Sequence, residues 1–432
     1  MSEQWLPARL SDYVDIAIGG TPSRVMPTFW AEKPAGQPWL AISDLRSKYV
    51  SDTREHISDL GIRSSNVKLI PAGSTVMSFK LSVGRTAITT QPMYSNEAIA
   101  AFLPRSNVVD SAWLYHVLPV AAGTVVTDSA VKGVTLNKAK MAEMTVLLPS
   151  PEEQETIGRV LDAFDTTIRQ TEAIIEKLKQ VKQGLLHDLL TRGIDANGEL
   201  RPPQSEAPHL YKESVLGWIP KQWYVDQLRQ GLASIDGGWS PDCIEEPPGE
   251  GQWGVLKLSA ITSGTYRPAE SKTLPSKLRP NPAIEVSPGD VLLARANGVA
   301  DLVATTVYVD ETPARLMLSD KTLRLRPVGS TLTARFLTTL MSFHWTRRQI
   351  GGMLNGSSGQ RNISQRQIGG LLVALPALAE QTAIDQRLDA ATERIASEIR
   401  VRDKLRQQKA GLMDDLLTGR VRVTSLLQAA KP

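Results

Sequence analysis

Two stretches of the chain carry apolar residues at alternating spacings of four and three. The first puts Ile157, Leu161, Phe164, Ile168, Ile175, Leu178, Leu185 and Leu189 on one stripe, interrupted by Thr171 and Lys182. The second repeats it with Ile384, Leu388, Ala391, Ile395, Leu405, Leu412 and Leu416, interrupted by Glu398, Arg402 and Lys409. This spacing turns one face of an α-helix toward a partner, and the Glu, Lys, Arg and Gln between stripe positions suit a wet outer face. Pro149, Pro151 and Pro376 stand where a helix can begin but not continue. At ~1.5 Å per residue, a stretch of about 40 residues makes a rod of roughly 60 Å. Matching seams predict that the two rods pack on each other as an antiparallel coiled coil.

Elsewhere the pattern shortens. "STVMSF", "TAITTQPMY", "GVLKLSAI", "DVLLARA" and "LVATTVYV" are rich in Val, Ile, Thr and Leu and are bounded by Gly and Pro, as short strands are. One short helix is expected in each body, near Ser111 to Leu118 and near Ala334 to Phe343. The predicted bodies are therefore mixed α/β with a curved sheet. Residues Gly193 to Pro220, with "DANGELRPPQSEAP", lose periodicity and gather Pro, Gly and Ser, so they read as a connector.

The chain is also written twice. Val146 through Thr191 aligns without a gap to Val373 through Thr418, with 20 identities in 46 positions. Ordinary residue usage would give roughly three. The openings echo too: "EQWLPARLSDYVDIAIGG" from Glu3 and "KQWYVDQLRQGLASIDGG" from Lys221 share Gln-Trp, a leucine and the closing Gly-Gly. Between opening and tail the likeness fades to pattern, as in "IPAGSTVMS" against "VSPGDVLLA". Each half is a variable body followed by a better-kept rod.

At 432 residues, more than one hydrophobic core is expected. The 41% hydrophobic and 22% charged residues are those of a folded globular chain, and no apolar run is long enough to cross a bilayer. The start, MSEQWLPARLSDY, lacks the sections of a signal peptide, and the single Cys243 has no internal partner, so a reducing cytoplasm is expected. A formal charge of +4 is compatible with nucleic acid without pointing to it.

Catalytic signatures are missing from the sequence. The five histidines are dispersed and fall in no metal-ligand spacing, which indicates no metal site. No Gly-Lys dipeptide exists to build a phosphate-cradling loop, and "RPNPAIEV" offers only Asn281-Pro282-Ala283 where an adenine methyltransferase would carry a Pro-Pro-Tyr ending. "GGTPS" at Gly19 to Ser23 reads as a turn. What does accumulate is small polar and basic residues in loops: Thr21, Ser23, Arg24, Lys80, Ser82, Arg85, Lys132 and Asn137 in the first body, and Ser240, Arg295, Asn297, Ser357, Gln360, Arg361 and Asn362 in the second. Hydroxyls and amides beside glycine suit phosphate oxygens, whereas Arg, Asn and Gln can pair with guanine or adenine edges. Singly, each is an ordinary solvated loop residue. As two sets they point to DNA.

Two variable bodies that open near "QW...GG" and close in "LPxxxEQ", each followed by a long helix ending "K(Q/A)GL(L/M)xDLLT", resemble the specificity subunit of type I restriction-modification systems. "YKESVLGWIPKQWYV" from Tyr211 resembles that family's entry into its second body. The resemblance implies an α/β (α+β) protein with a pseudo-twofold internal repeat, in which two mixed target recognition domains are separated by two long antiparallel coiled-coil helices. Its boundaries here would be residues 1–149 for the first recognition domain, 150–193 for the first spacer helix, 194–220 for a linker, 221–376 for the second recognition domain, 377–421 for the second spacer helix and 422–432 for a tail. The implied role is non-catalytic: each domain reads one half of a split, asymmetric site in double-stranded DNA, and the helices set the unread spacer. Two methyltransferase subunits would dock on the helices and carry S-adenosylmethionine, and restriction motor subunits, with ATP and Mg, would join where the complex cleaves. No cofactor would bind this chain, and no membrane is implied. Glu153, Gln154, Glu380 and Gln381 open the two rods, where helix capping and contact with the methyltransferase are the two readings. The competing functions are a stand-alone modification or restriction enzyme with its own catalytic centre, which would transfer methyl groups unaided, and a coiled-coil scaffold that binds no DNA.

Overall fold

The computed structural model describes residues 5–127, 136–356 and 359–429. It divides into two compact units, Met1–Ala173 with Ile399–Pro432, and Ile174–Glu398. Two helices dominate, Pro151–Thr191 and Leu378–Leu417. Each contributes one part to each unit, so a unit is a body plus a pair of helical segments.

In the first unit the segments run antiparallel. Ile157 and Leu161 share a core with Leu416 and Leu417. Further along, Asp165 meets Lys409 at 2.6 Å and Glu172 meets Arg406 at 2.5 Å, so one residue number rises as the other falls. In the second unit Leu189 and Leu190 share a core with Ile384 and Leu388 in the same sense. The lysines that interrupt the seams fare differently. Lys409 has Asp165, but the repeat equivalent of that aspartate is Thr392, and burial pulls the Lys182 ammonium below its ordinary value, opposed only by Asp389.

The first body holds two small sheets instead of one curved sheet. Five strands run in the order Val14–Ile18, Ile99–Pro104, Thr75–Ser78, Thr86–Thr89 and Tyr49–Val50; the other four are Trp30–Ala31, Glu55–Ile57, Gln37–Leu40 and Tyr94–Ser95. The strands are two to six residues long, and among the described residues no ladder joins the two sets. The second body follows the same plan. It has four antiparallel strands, Leu232–Gly237, Thr322–Pro327, Val291–Ala294 and Thr306–Tyr308, beside a three-stranded sheet centred on Gly254–Leu256. In each unit a two-stranded ladder ties the opening of the body to its close: Leu6 opposite Leu148, and Tyr224 opposite Leu375.

The first body's helix runs Ser111–Thr127, well past its expected end at Leu118. Pro119 lies inside it, which deprives the carbonyl of Tyr115 of its usual helical donor. The Thr86 hydroxyl donates to that carbonyl at 2.9 Å from the neighbouring strand, so the helix continues. Trp113, Leu114, Val117 and Leu118 are buried against Met77 and Phe102 of the sheet and Ile157 and Leu161 of the long helix. In the second unit Ala334–Ser342 takes the equivalent place, followed by His344–Met353.

Candidate nucleic-acid interface

In the first unit the nominated loop residues gather around one carboxylate. Thr21 donates its hydroxyl to Glu97, and Lys80 and Arg24 lie close enough to act on that group electrostatically. The Thr21 hydroxyl holds Glu97 below the usual carboxylate range against the opposing effect of burial, with Lys80 and Arg24 adding to it. Arg24 is fixed by Glu55 and lies 3.8 Å over the ring of Trp30, whose indole N–H donates to the main-chain oxygen of Ser23 at 3.2 Å. Trp39, beneath them, donates to the carbonyl of Gly20 at 2.9 Å. The loop carrying Ser82 is cinched at its base, where the Ser78 hydroxyl donates to the Ser82 carbonyl.

Two candidates fall elsewhere in this unit. Asn137 caps the short helix Lys138–Ala142, its side-chain oxygen accepting from the Lys140 N–H at 2.8 Å. Arg85 lines a cleft of about 460 Å³ between body and long helix, together with Arg46 and Arg169. The two carboxylates of that cleft, Asp165 and Glu172, are paired with Lys409 and Arg406, so that among the described residues the three exposed guanidinium groups have no carboxylate partner. Lys132 and, in the second unit, Ser357 lie outside the described residues.

In the second unit a two-residue ladder joins distant candidates. Ala296–Asn297 pairs antiparallel with Arg361–Asn362, and the N–H of Ile363 donates to the Arg295 carbonyl at 3.0 Å. Arg295, Asn297, Arg361 and Asn362 therefore sit together, with exposed Gln360 beside them. Gly356 has φ +107 and a Cβ there would come within 2.2 Å of the Gln360 carbonyl, so the turn that brings this segment back requires glycine. Ser240 donates to Asp320 at 2.5 Å, and the N–H of Arg295 donates to the carbonyl of the next residue, Lys321, at 2.8 Å. Among the described residues, no carboxylate pairs with the exposed guanidinium groups of Arg295 and Arg361.

The Glu-Gln pairs at the helix starts are engaged within their own units, with Glu153, Gln154 and Gln381 buried and Glu380 partly so. Gln154 accepts from the N–H of Asp110 at 2.8 Å and donates to the carbonyls of Val108 and Pro149; Gln381 accepts from Thr333 at 2.9 Å and donates to Thr331 and Pro376. Glu153 accepts from the Trp5 indole at 2.9 Å, from Arg422 at 2.7 Å and from the Ser150 N–H at 3.1 Å. Burial works to raise its pKa, but Arg422 and Trp5 bring it below the ordinary value. Glu380 accepts from Arg201 at 2.5 Å and from the N–H of Ile194 at 2.8 Å. Gly193 has φ +66 and a Cβ on it would meet the Glu380 carboxylate at 2.2 Å. In both units, glutamine fastens the helix to its body and glutamate fastens it to the segment that follows the other long helix.

His116, Asp162 and Asp165 form a cluster with metal-ligand chemistry that the sequence spacing does not reveal. Its carboxylates already carry ammonium groups: Lys48 sits 2.5 Å from Asp162 and Lys409 2.6 Å from Asp165. His116 lies 2.9 Å from Asp162, and burial pulls its imidazole below the ordinary value. The donor set is compensated from within, and it pins the body to the helix.

Sequence reasoning on polar residues also passed over exposed apolar ones in the same loops, Val25 at 84% and Leu81 at 94% exposure. The signal was available, since both interrupt otherwise polar loops.

In this duplicated body-and-helix protein, with polar loop clusters in each body, residues 2–180 match the family model of the type I restriction modification DNA specificity domain. The relatives this chain resembles are specificity subunits of type I restriction-modification systems. It is 31% identical over 268 residues to the EcoEI specificity subunit of Escherichia coli, covering 56% of this chain and 44% of that protein. It is 22% identical over 434 residues to the MjaVIII specificity subunit of Methanocaldococcus jannaschii, covering 98% and 94%. The match to EcoEI thus spans less than half of that relative, whereas the match to MjaVIII is nearly end to end. In fold it is similar to a chain of a type I restriction-modification system studied for complex assembly and conformational transition, with a TM-score of 0.60, 15% identity and 98% and 99% coverage. The S subunit from M. genitalium gives 0.51, 11% identity and 96% of each chain.

Proposed function

We propose that the two bodies read the two halves of a split, asymmetric sequence in double-stranded DNA, within a cytoplasmic complex. The long helices set the unread spacer and dock two methyltransferase subunits that methylate adenine with S-adenosylmethionine; motor subunits with ATP and Mg join where DNA is cut. The carrying observation is the contrast between the unlike loop clusters, around Glu97 in one body and along Asn297–Arg361 in the other, and the like helix starts below them. No described helix is long and apolar enough to cross a membrane.

The loop residues divide by chemistry. Arg295, Asn297, Gln360, Arg361 and Asn362 carry the paired donors and acceptors that base edges require. Thr21, Ser23, Lys80 and Ser82 suit phosphate and sugar contacts, as do Arg46, Arg85 and Arg169 in their cleft.

Sequencing the methylated adenines in cells carrying this protein with its methyltransferase subunit is the test. A split motif is expected, and lengthening both helices by one heptad widens its spacer while leaving each half intact. An undivided motif, or a spacer indifferent to helix length, overturns the reading. Replacing Arg46, Arg85 and Arg169 together by Gln weakens binding of the complex to all sequences alike, and lowers the slope of log affinity against log salt by about 1 for each phosphate contact removed.

A further inference from the structure

We propose that Leu81 is a base-reading side chain of the first body and that its contact is the C5 methyl group of a thymine, an inference that rests on the half-site reading above. Leu81 is 94% exposed and has φ +62, the left-handed region that a leucine rarely adopts. The two other described residues with positive φ that are not glycine are held by the chain itself. Ala304 is 1% exposed and donates its N–H to Ala294 at 2.7 Å, and Arg315 donates its N–H to Glu285 at 2.5 Å and its side chain to Gly251. Leu81 has no such packing to offset its backbone, and strained positions of this kind gather where a partner is met.

The loop presents the side chain rigidly. The Ser82 N–H donates back to the Lys80 carbonyl at 2.8 Å, a three-residue turn with Leu81 at its apex. Below it, the Gly84 N–H donates to the Ser78 carbonyl at 2.9 Å, the Arg85 N–H donates to the Ser78 hydroxyl at 3.2 Å, and that hydroxyl donates to the Ser82 carbonyl. The flanking strands Thr75–Ser78 and Thr86–Thr89 are paired with each other in the sheet. An apolar group held outward in this way loses little freedom on binding.

Its surroundings select the partner. Lys80 and Ser82 flank the apex, and Arg24 and Thr21 lie across Glu97 from Lys80. A cationic, hydroxyl-rich rim around an exposed apolar side chain fits a polyanion with an apolar point of its own. In the major groove the thymine methyl is that point.

The test uses the full complex with its methyltransferase subunit and duplexes in which each thymine of the first half-site is replaced in turn by deoxyuridine, which lacks the methyl. One replacement is expected to weaken binding roughly fourfold, the worth of one buried methyl-sized group. Leu81→Gly, whose backbone accepts the left-handed turn, should abolish that dependence with thermal stability unchanged or raised. Leu81→Ala, which keeps the Cβ and the same backbone but not the apolar reach, should behave likewise. A first half-site without thymine, or a Leu81→Gly complex as sensitive to deoxyuridine as the parent, overturns the assignment alone. A parent complex with no split motif overturns the half-site reading and this inference with it.

Discussion

The two units solve one mechanical problem with the same residues and two chemical problems with different ones. At the joint the correspondence is residue for residue: Trp5, Glu153 and Gln154 in one, Trp223, Glu380 and Gln381 in the other. A few residues along the helix it is already lost. Asp162 receives Lys48 and His116 from its body, whereas its equivalent Asp389 meets Arg335 at 3.3 Å on the surface, and the second body is held instead by the Thr339 hydroxyl on Asp385. The fastening at the helix start is common to both units, and the angle-setting contact is tailored to each body.

The largest effect that probes this comparison is expected at the joint. Glu380→Gln leaves Arg201, 7% exposed, without its counter-charge, and weakens the bond to the Ile194 N–H. Removing one partner of a buried pair costs about 3–5 kcal/mol. Glu153→Gln should cost less, about 2–3 kcal/mol, because Arg422 is more exposed than Arg201 and the Trp5 indole can still donate to the amide oxygen. Denaturant unfolding of the two variants measures both; equal losses would mean that the joints differ only in sequence number.

The second effect separates the angle-setting contacts. Asp162→Asn strands Lys48, 6% exposed, and should cost about 2–3 kcal/mol, less than a fully buried pair because Asp162 itself is partly exposed. Asp389→Asn releases a surface arginine, withdraws a weaker favourable charge from Lys182 and an unfavourable one from Asp385, and should cost under about 1 kcal/mol. Thermal unfolding at neutral pH distinguishes them, and a larger loss at Asp389 would reverse the assignment of roles.

Periodicity made the helices and their antiparallel pairing legible in the sequence, because a stripe of Ile and Leu at spacings of four and three has one structural meaning. The repeat made the joint visible, though not its partners: Arg201 and Arg422 sit at different distances past their helices and align poorly. The extension of the body's helix past Leu118 is not legible locally, because the donor that lets it run through Pro119, the Thr86 hydroxyl, lies on another strand. The loop clusters were legible as composition and not as geometry. Nothing local indicates that Asn297 pairs with Arg361, or that Asn137 directs its oxygen to a helix cap instead of to the Glu97 cluster.

The pH-dependent effect has opposite signs in the two units. Burial raises the Asp385 carboxyl to about 6, partly offset by the Thr339 hydroxyl and reinforced by Asp389. Its folded value lies above the unfolded one near 3.8, so its protonated form favours folding. That contribution is complete below pH ~4 and is lost as pH rises through about 6. His116 behaves in reverse. Its folded value lies below the ordinary 6.5, so stability is lost as pH falls from about 6.5 toward that lower value, where the unfolded chain takes the proton first. Asp385→Asn, which keeps an acceptor for Thr339 and cannot ionise, should therefore stabilise the protein at pH 8 by about 1–2 kcal/mol and do nothing favourable at pH 4. Chemical unfolding at the two pH values decides it: a gain of the same size at both would mean that the carboxyl titrates alike in the folded and the unfolded chain, and that burial does not raise it.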